Sequence, residues 1–326
     1  MAQQLGAGGL TLENKTFYEK ELLYRAVPQF VHLGWGVQKN IPARGSNNLE
    51  WRRLERPAVA TTALTEGTPP SSTAVTWVSV VATVQQYGAY ARFSEVAMRQ
   101  SIDNILSETV EMWGEHMGET LDIIARNVLI GGTTVQYAGA AVSRGAVSSN
   151  IDEAEIREAV ATLKRANARR IVKAGSRYVA ITHPNAMGDF IGSPTGNLSL
   201  ILQRAGLRGD ANPLFTGDAF DYLGVRFLES SNARIFGCAG WSTSTGRVGV
   251  FQTLIMGEGY YGEVRYQEGD ANIIVHAPGS GGAGTDPLNQ FGSVGWKAPL
   301  AVRILNDNFA VRIEHAASSD VQAGNA

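Results

Sequence analysis

The chain of 326 residues has one cysteine, Cys238, so no internal disulfide can brace it. Its five histidines, at 32, 116, 183, 276 and 315, are scattered singly, which excludes a zinc knuckle built on clustered ligands. Charge is sparse: 18% of residues are Asp, Glu, Lys or Arg, against about 25% in ordinary soluble proteins. With 44% apolar residues the chain is unlike a disordered polyelectrolyte, and much of its surface is expected to be covered. The 28 bases and 30 acids leave a net charge of −2, so no global field recruits nucleic acid or an anionic membrane. No apolar run reaches the roughly 18 residues of a membrane span, and residues 1–10 lack the basic head and apolar core of a signal peptide; a cytosolic product is expected. No period of roughly 20 to 50 residues recurs, which removes a solenoid.

What is present divides into segments. Residues 1–45 mix short apolar clusters with glycine and proline breakers, and only 14–26 can make a few helical turns. Such a segment reads as an arm lying on another surface, with Phe30 and Trp35 buried against a partner or the same chain. Residues 49–64 and 73–93 read as strand-forming runs separated by Glu66-Gly67-Thr68-Pro69-Pro70, a long β-hairpin. Its second run, with Val75, Trp77, Val80, Val81, Val84, Tyr87 and Tyr90, is apolar on both faces, so both sides are expected to meet protein. Ser94 can cap a long amphipathic helix running to about Ile130 and stopping at Gly131-Gly132, with a bend favoured at Gly114 and Gly118. Its outer face reads as acidic: Asp103, Glu108, Glu111, Glu115, Glu119 and Asp122. A second helix over 152–168 leads into alternating strands and helices, and a Gly-rich break at 278–284 precedes two closing strands, 294–305 and 309–316, expected to form a hairpin.

Gly279, Gly281 and Gly284 have the spacing of a dinucleotide fingerprint, but Pro278 precedes them and Thr285-Asp286-Pro287 follows where a helix should open; a loop is favoured. Gly295-Trp296-Lys297 lacks the spacing and hydroxyl of a phosphate loop, and there is no nucleophile elbow. Glu115, His116 and Glu119 share a helical turn and read as a solvated face rather than a metal site. His183 before Pro184 reads as a turn residue, and Cys238 as a small buried hydrophobe. Neither a catalytic residue nor a cofactor or metal ligand is expected.

An arm, a long two-faced hairpin, a rod helix, an α/β lobe and two closing strands, in that order, resemble the Hong Kong 97 capsid fold of tailed-phage major capsid proteins, an α+β architecture. Leu12-Glu13-Asn14-Lys15-Thr16-Phe17-Tyr18 and Gly295-Trp296-Lys297 are similar to the N-four-type family of those proteins. The resemblance implies an N-terminal arm over 1–45, an extended loop over 46–93, a peripheral domain with its spine helix over 94–171, an axial domain over 172–270, and a Gly-rich loop with a closing hairpin over 271–326. It implies hexamers and pentamers tiling an icosahedral shell around double-stranded DNA, assembled in the bacterial cytoplasm without a membrane. The partners implied are further copies of the chain, a portal protein, a scaffolding protein and a decoration or cement protein. Because the chain starts directly with the arm, the scaffold is expected to be separate. Contact residues between copies are expected among Phe17, Tyr18, Phe30, Trp35, Arg52, Arg53, Trp77, Val81, Glu108, Glu111 and Glu115.

Two expectations follow from the residues. No lysine lies between Lys39 and Lys164, so the loop cannot donate the amine for the lysine–asparagine cross-link made by the founding member of the fold; a noncovalent shell is expected. Residues 1–56 net +3 and residues 94–130 net −5, so arm and loop are expected near the acidic spine of another copy. The rival readings are an encapsulin-like cargo shell and a cytosolic α/β enzyme.

Overall fold

The computed structural model describes residues 31–42, 46–100, 105–139, 141–192, 221–237, 249–266, 271–278, 288 and 290–317. In chain order, β1 (Val37–Ile41), β2 (Asn48–Leu54), β3 (Trp77–Thr83) and β4 (Gln85–Ser94) lead into two helices, α1 (Glu95–Gln100) and α2 (Ile105–Leu129). Then come β5 (Val135–Tyr137), α3 (Glu153–Arg165), β6 (Tyr178–Thr182), α4 (Pro184–Gly192), β7 (Asp221–Tyr222), β8 (Val225–Glu229) and β9 (Ile235–Gly237). The chain closes with β10 (Gly249–Met256), β11 (Tyr261–Tyr266), β12 (Asn272–His276), β13 (Phe291–Ile304) and β14 (Ala310–His315). This is a mixed α+β fold, as the sequence indicates.

Two sheets organise it. The five-stranded sheet is built along β13, which pairs with β4 over 291–300 and with β12 and β11 on its other side; β1 adds in parallel to β11. The helix α2 covers one face of this sheet. Val110, Met117, Leu121 and Ala125 pack on Val294, Trp296, Ala298 and Leu300, a stripe at helical spacing. Gly114 and Gly118 are buried within that stripe, so they serve packing on the sheet in an unbroken helix. The Ser94 hydroxyl does accept a hydrogen bond from Ala97 N–H (3.2 Å), capping α1.

The seven-stranded sheet runs β5-β14-β10-β6-β8-β7, with β9 beside β10. Asp152 and Glu155 form a reciprocal capping box at the start of α3, and Ile156, Ala159, Val160 and Leu163 bury its inner face against Tyr178, Phe227, Ile255, Val311 and Ile313.

The structure corrects three sequence expectations. The hairpin is shorter: only β2 and β3 pair, residues 55–76 form no strand, and the apolar run continues past Val84 into β4, which leaves the hairpin to join β13. The run is apolar on both faces because it serves two sheets in succession. The closing strands form no hairpin, since β13 lies in the first sheet and β14 in the second. Between them Leu305 and Asn306 N–H donate to Tyr260 O, turning the chain away before it can fold back on β13. Finally, β5, α3 and β14 belong with the seven-stranded sheet, whereas β11 belongs with the five-stranded one. The lobes therefore do not separate at residues 171 and 270, because strands of distant sequence complete each sheet.

Candidate functional site

The β2–β3 ribbon covers part of the five-stranded sheet with one face only. Register places Leu49, Trp51 and Arg53 opposite Ala82, Val80 and Val78, and directly opposed residues share a face. Leu49, Trp51 and Ala82 pack with Ile41, Val84, Val264 and Ala301. Trp51 fits because residue 262 is glycine: a Cβ there would lie 2.5 Å from the indole ring. The opposite face carries Leu54, Trp77 and Val81, 54%, 62% and 49% exposed. Beyond it every residue of 55–76 is exposed. The ribbon's underside and the second sheet's connections enclose a groove of about 710 Å³ lined by Trp51, Arg53, Arg56, Val80, Asn308 and Phe309. Arg52 reaches Glu50 on its own strand through two hydrogen bonds of 3.1 Å, which lowers the Glu50 pKa.

Residues 31–36 form a strap across the end of α2 and the start of β11. The buried Asp122 carboxylate accepts from Val31 N–H (3.0 Å) and His32 N–H (2.7 Å), and its other oxygen lies 2.7 Å from His32 Nδ1. Glu263 accepts from Gly34 N–H at 2.6 Å, and Tyr261 O–H donates to His32 O at 2.6 Å. Trp35 is half-buried on its own chain, its Nε1–H donating to Val31 O (3.0 Å). Asp122 is thus no part of the outer acidic face, contrary to expectation: partners 90 residues earlier make its burial tolerable. One turn on, Arg126 is also buried. Its Nη1–H donates to Asn232 O (2.8 Å), and burial, then repulsion from Arg234, lowers its pKa against the pull of Asp122.

On the outer face of α2, Glu111 is half-buried while Glu115 and Glu119 are exposed. His116 stands between Trp113 and Trp296, its Nδ1 accepting from Trp296 Nε1–H (3.2 Å). Among the described residues no cluster of His, Cys, Asp and Glu could hold a metal. The motif Gly295-Trp296-Lys297 is a piece of β13, with Trp296 in the helix–sheet core and Lys297 exposed on the far face. Phe17, Tyr18, Phe30, the 12–18 motif, Cys238, the glycines at 279–284 and the side chain of Glu108 lie outside the described residues.

His183 accepts a hydrogen bond from Asn185 N–H at Nδ1 (3.2 Å), the expected turn role, and burial lowers its pKa. A Thr182–Thr253–His315 chain with contacts of 2.8 and 2.9 Å has the residue types of a nucleophile and base, yet its members are 0–2% exposed. Arg144 holds Glu314 through two 2.7 Å hydrogen bonds, with Arg312 on the same carboxylate. Sequence reasoning missed these buried polar groups. Only Asp122 and Arg126 left a trace, since they fall in register with Met117, Leu121, Ala125 and Leu129.

A family model described as "Phage capsid protein" matches residues 77–313. No curated protein matches the chain. Among solved structures, the capsid of Ralstonia phage GP4 superposes with a TM-score of 0.65 at 12% identity, covering 87% of each chain. The capsid of Helicobacter pylori bacteriophage KHP30 gives 0.63 at 10% identity over 86% of this chain and 87% of that one. The Cyanophage Pam1 capsid gives 0.61 at 16% identity over 91% and 93%. At such identities the structural likeness concerns the fold.

Proposed function

The chain belongs to a family of phage capsid proteins, and from that membership we propose that its copies join as hexamers and pentamers into an icosahedral shell around the double-stranded DNA of a tailed phage. Its fold is the Hong Kong 97 capsid fold, its role is structural, and its place is the virion capsid. The observation that carries self-assembly is the extended loop: its inner face is spent on the chain's own sheet, while Leu54, Trp77, Val81 and all of 55–76 face solvent. An isolated chain gains nothing from an apolar strip held outward, whereas a closed ring of head-to-tail copies covers it. Arms and loops that reach across neighbours spread contact over a large area, so each contact can be weak.

In this reading residues 1–45 are the arm, 46–83 the extended loop, α2 the spine helix of a peripheral domain built on the five-stranded sheet, and the seven-stranded sheet the core of an axial domain. Trp77 and Val81 are the contact residues best placed for a neighbour. Arg52, Arg53, Glu111 and Glu115 contribute charge at the rim of such contacts, where it sets register more than strength. A portal, a scaffolding protein and a decoration protein are the further partners, with assembly in the host cytoplasm and DNA held without sequence-specific contact. The family match favours this reading over a cargo shell or an α/β enzyme. Negative-stain microscopy of the purified chain, expressed with its scaffold, should show closed shells; a stable monomer or small oligomer under the same conditions would defeat the reading.

A further inference from the structure

The net charge of −2 conceals a local surplus of cations around β9 in the seven-stranded sheet. Register sets Phe236 opposite Val250 and Glu314 opposite Gln252, and the Gln252 N–H donates to Arg234 O. Residues two apart on a strand share a face, so Arg234, Phe236, Arg312 and Glu314 lie on one side of the sheet. Arg144, from the connection between β5 and α3, closes over them, its guanidinium carbon 3.7 Å from the centre of the Phe236 ring. The guanidinium carbons of Arg234 and Arg312 stand 5.7 and 5.8 Å from the same ring, and Arg126 of α2 lies within repelling reach of Arg234.

One carboxylate serves the three cations around the ring. Glu314, fully buried, receives Arg144 through two hydrogen bonds of 2.7 Å and Arg312 at 3.0 Å. Asp122 attracts Arg126, but its oxygens are engaged by the strap. Arg234 is left over. Among the described residues its guanidinium has no ion pair or hydrogen bond, and its Nε is a buried donor without an acceptor. Such a donor is costly to leave unmade, and a guanidinium cannot escape the cost by losing its proton. The neighbouring chain supplies no acid: residues 138–151 and 230–250 contain neither Asp nor Glu, and the second stretch adds Arg247. The cluster is reachable from solvent, since the Arg144 side chain is 37% exposed and Arg234 and Phe236 are half-buried.

We propose that this corner is a phosphate-binding site, in which Arg234 and the exposed part of Arg144 clasp an oxyanion while Glu314 fixes Arg144 and Arg312 and the Phe236 ring spaces the guanidiniums. Planar forks match phosphate oxygens in pairs, and the buried Arg234 Nε gains the acceptor it lacks. The phosphate has two sources, the backbone of a nucleic acid or free inorganic phosphate. The site stands on the cluster and not on the shell reading, though a backbone source would make it one of the shell's contacts with packaged DNA.

Arginine labelling with phenylglyoxal, mapped by mass spectrometry on the full-length chain, tests it. Saturating inorganic phosphate should slow the labelling of Arg234 about tenfold relative to chloride at equal ionic strength. By titration calorimetry, Arg234→Gln should weaken phosphate binding about tenfold with an unchanged circular dichroism spectrum, and Arg234→Lys, which keeps the charge but not the fork, should fall between. A short DNA duplex forms the second arm. Protection of Arg234 by the duplex, competed away by free phosphate, supports the site with a backbone source; protection by inorganic phosphate alone supports it with a free anion. Equal labelling of Arg234 in chloride, phosphate and duplex, or phosphate affinity unaltered in Arg234→Gln, would overturn the proposal whether or not the chain builds shells. Should Arg234→Gln fail to fold, the wild-type labelling decides.

Discussion

At the scale of single residues, surroundings decide role. His315 donates from Nδ1 to Ala316 O, so its Nε2 accepts from the Thr253 hydroxyl, and complete burial holds its pKa down to about 4 from 6.5. Between those values the unfolded chain takes up a proton that the folded chain refuses. The full stability is present above 6.5 and declines as pH falls through that window. Urea denaturation of the unassembled chain should show a loss of roughly 2 kcal/mol from this group between pH 7 and pH 5. His315→Gln should flatten the pH slope by that amount, and an unaltered slope would contradict the assignment. Gly262 is a matter of space, given the 2.5 Å approach of Trp51. Gly262→Ala should cost about 1–3 kcal/mol as the indole is displaced, seen as a lower melting temperature and red-shifted tryptophan emission; an unchanged melt would show that the ribbon is not seated by this contact.

Among the elements, α2 and the ribbon show what periodicity reveals and what it hides. The apolar stripe of α2 was legible, because buried helix residues recur at the helical period. Asp122 was misassigned because hydropathy cannot report a partner in residues 31–32. Asp122→Ala should destabilise the chain by about 2–3 kcal/mol, since a buried carboxylate and two N–H donors lose one another. Proteolysis should then cut faster near residues 31–36, and equal cleavage in wild type and variant would remove the strap from α2. For the ribbon, the two-faced run was legible but its division at Val84 was not, because a strand carries no local mark of which sheet it will join. Trp77→Ser with Val81→Ser should leave the unfolding free energy of the unassembled chain within about 0.5 kcal/mol of wild type yet lower shell yield. A large loss of stability would instead mean that these side chains support the chain's own fold.

For the whole molecule, the lysine-free stretch from 40 to 163 denies the extended loop an amine for cross-linking. Intact shells boiled in detergent should give one band near 34.9 kDa, and a ladder of covalent multimers would refute a noncovalent shell. The two long helices, the core of the ribbon and the closing strands were determined by sequence alone, since hydropathy period, caps and breakers act over a few residues, whereas short strands such as β1, β5, β11 and β12 left no such mark. The loop's surplus of apolar surface was determined in the same way. Tertiary structure alone decided that β13 and β14 part into different sheets, that Asp122 and Glu263 tie down the strap, and that the apolar run divides at Val84 between the ribbon and β4. Each of those facts depends on groups tens to hundreds of residues apart meeting in space, and no local pattern in the chain encodes such a meeting.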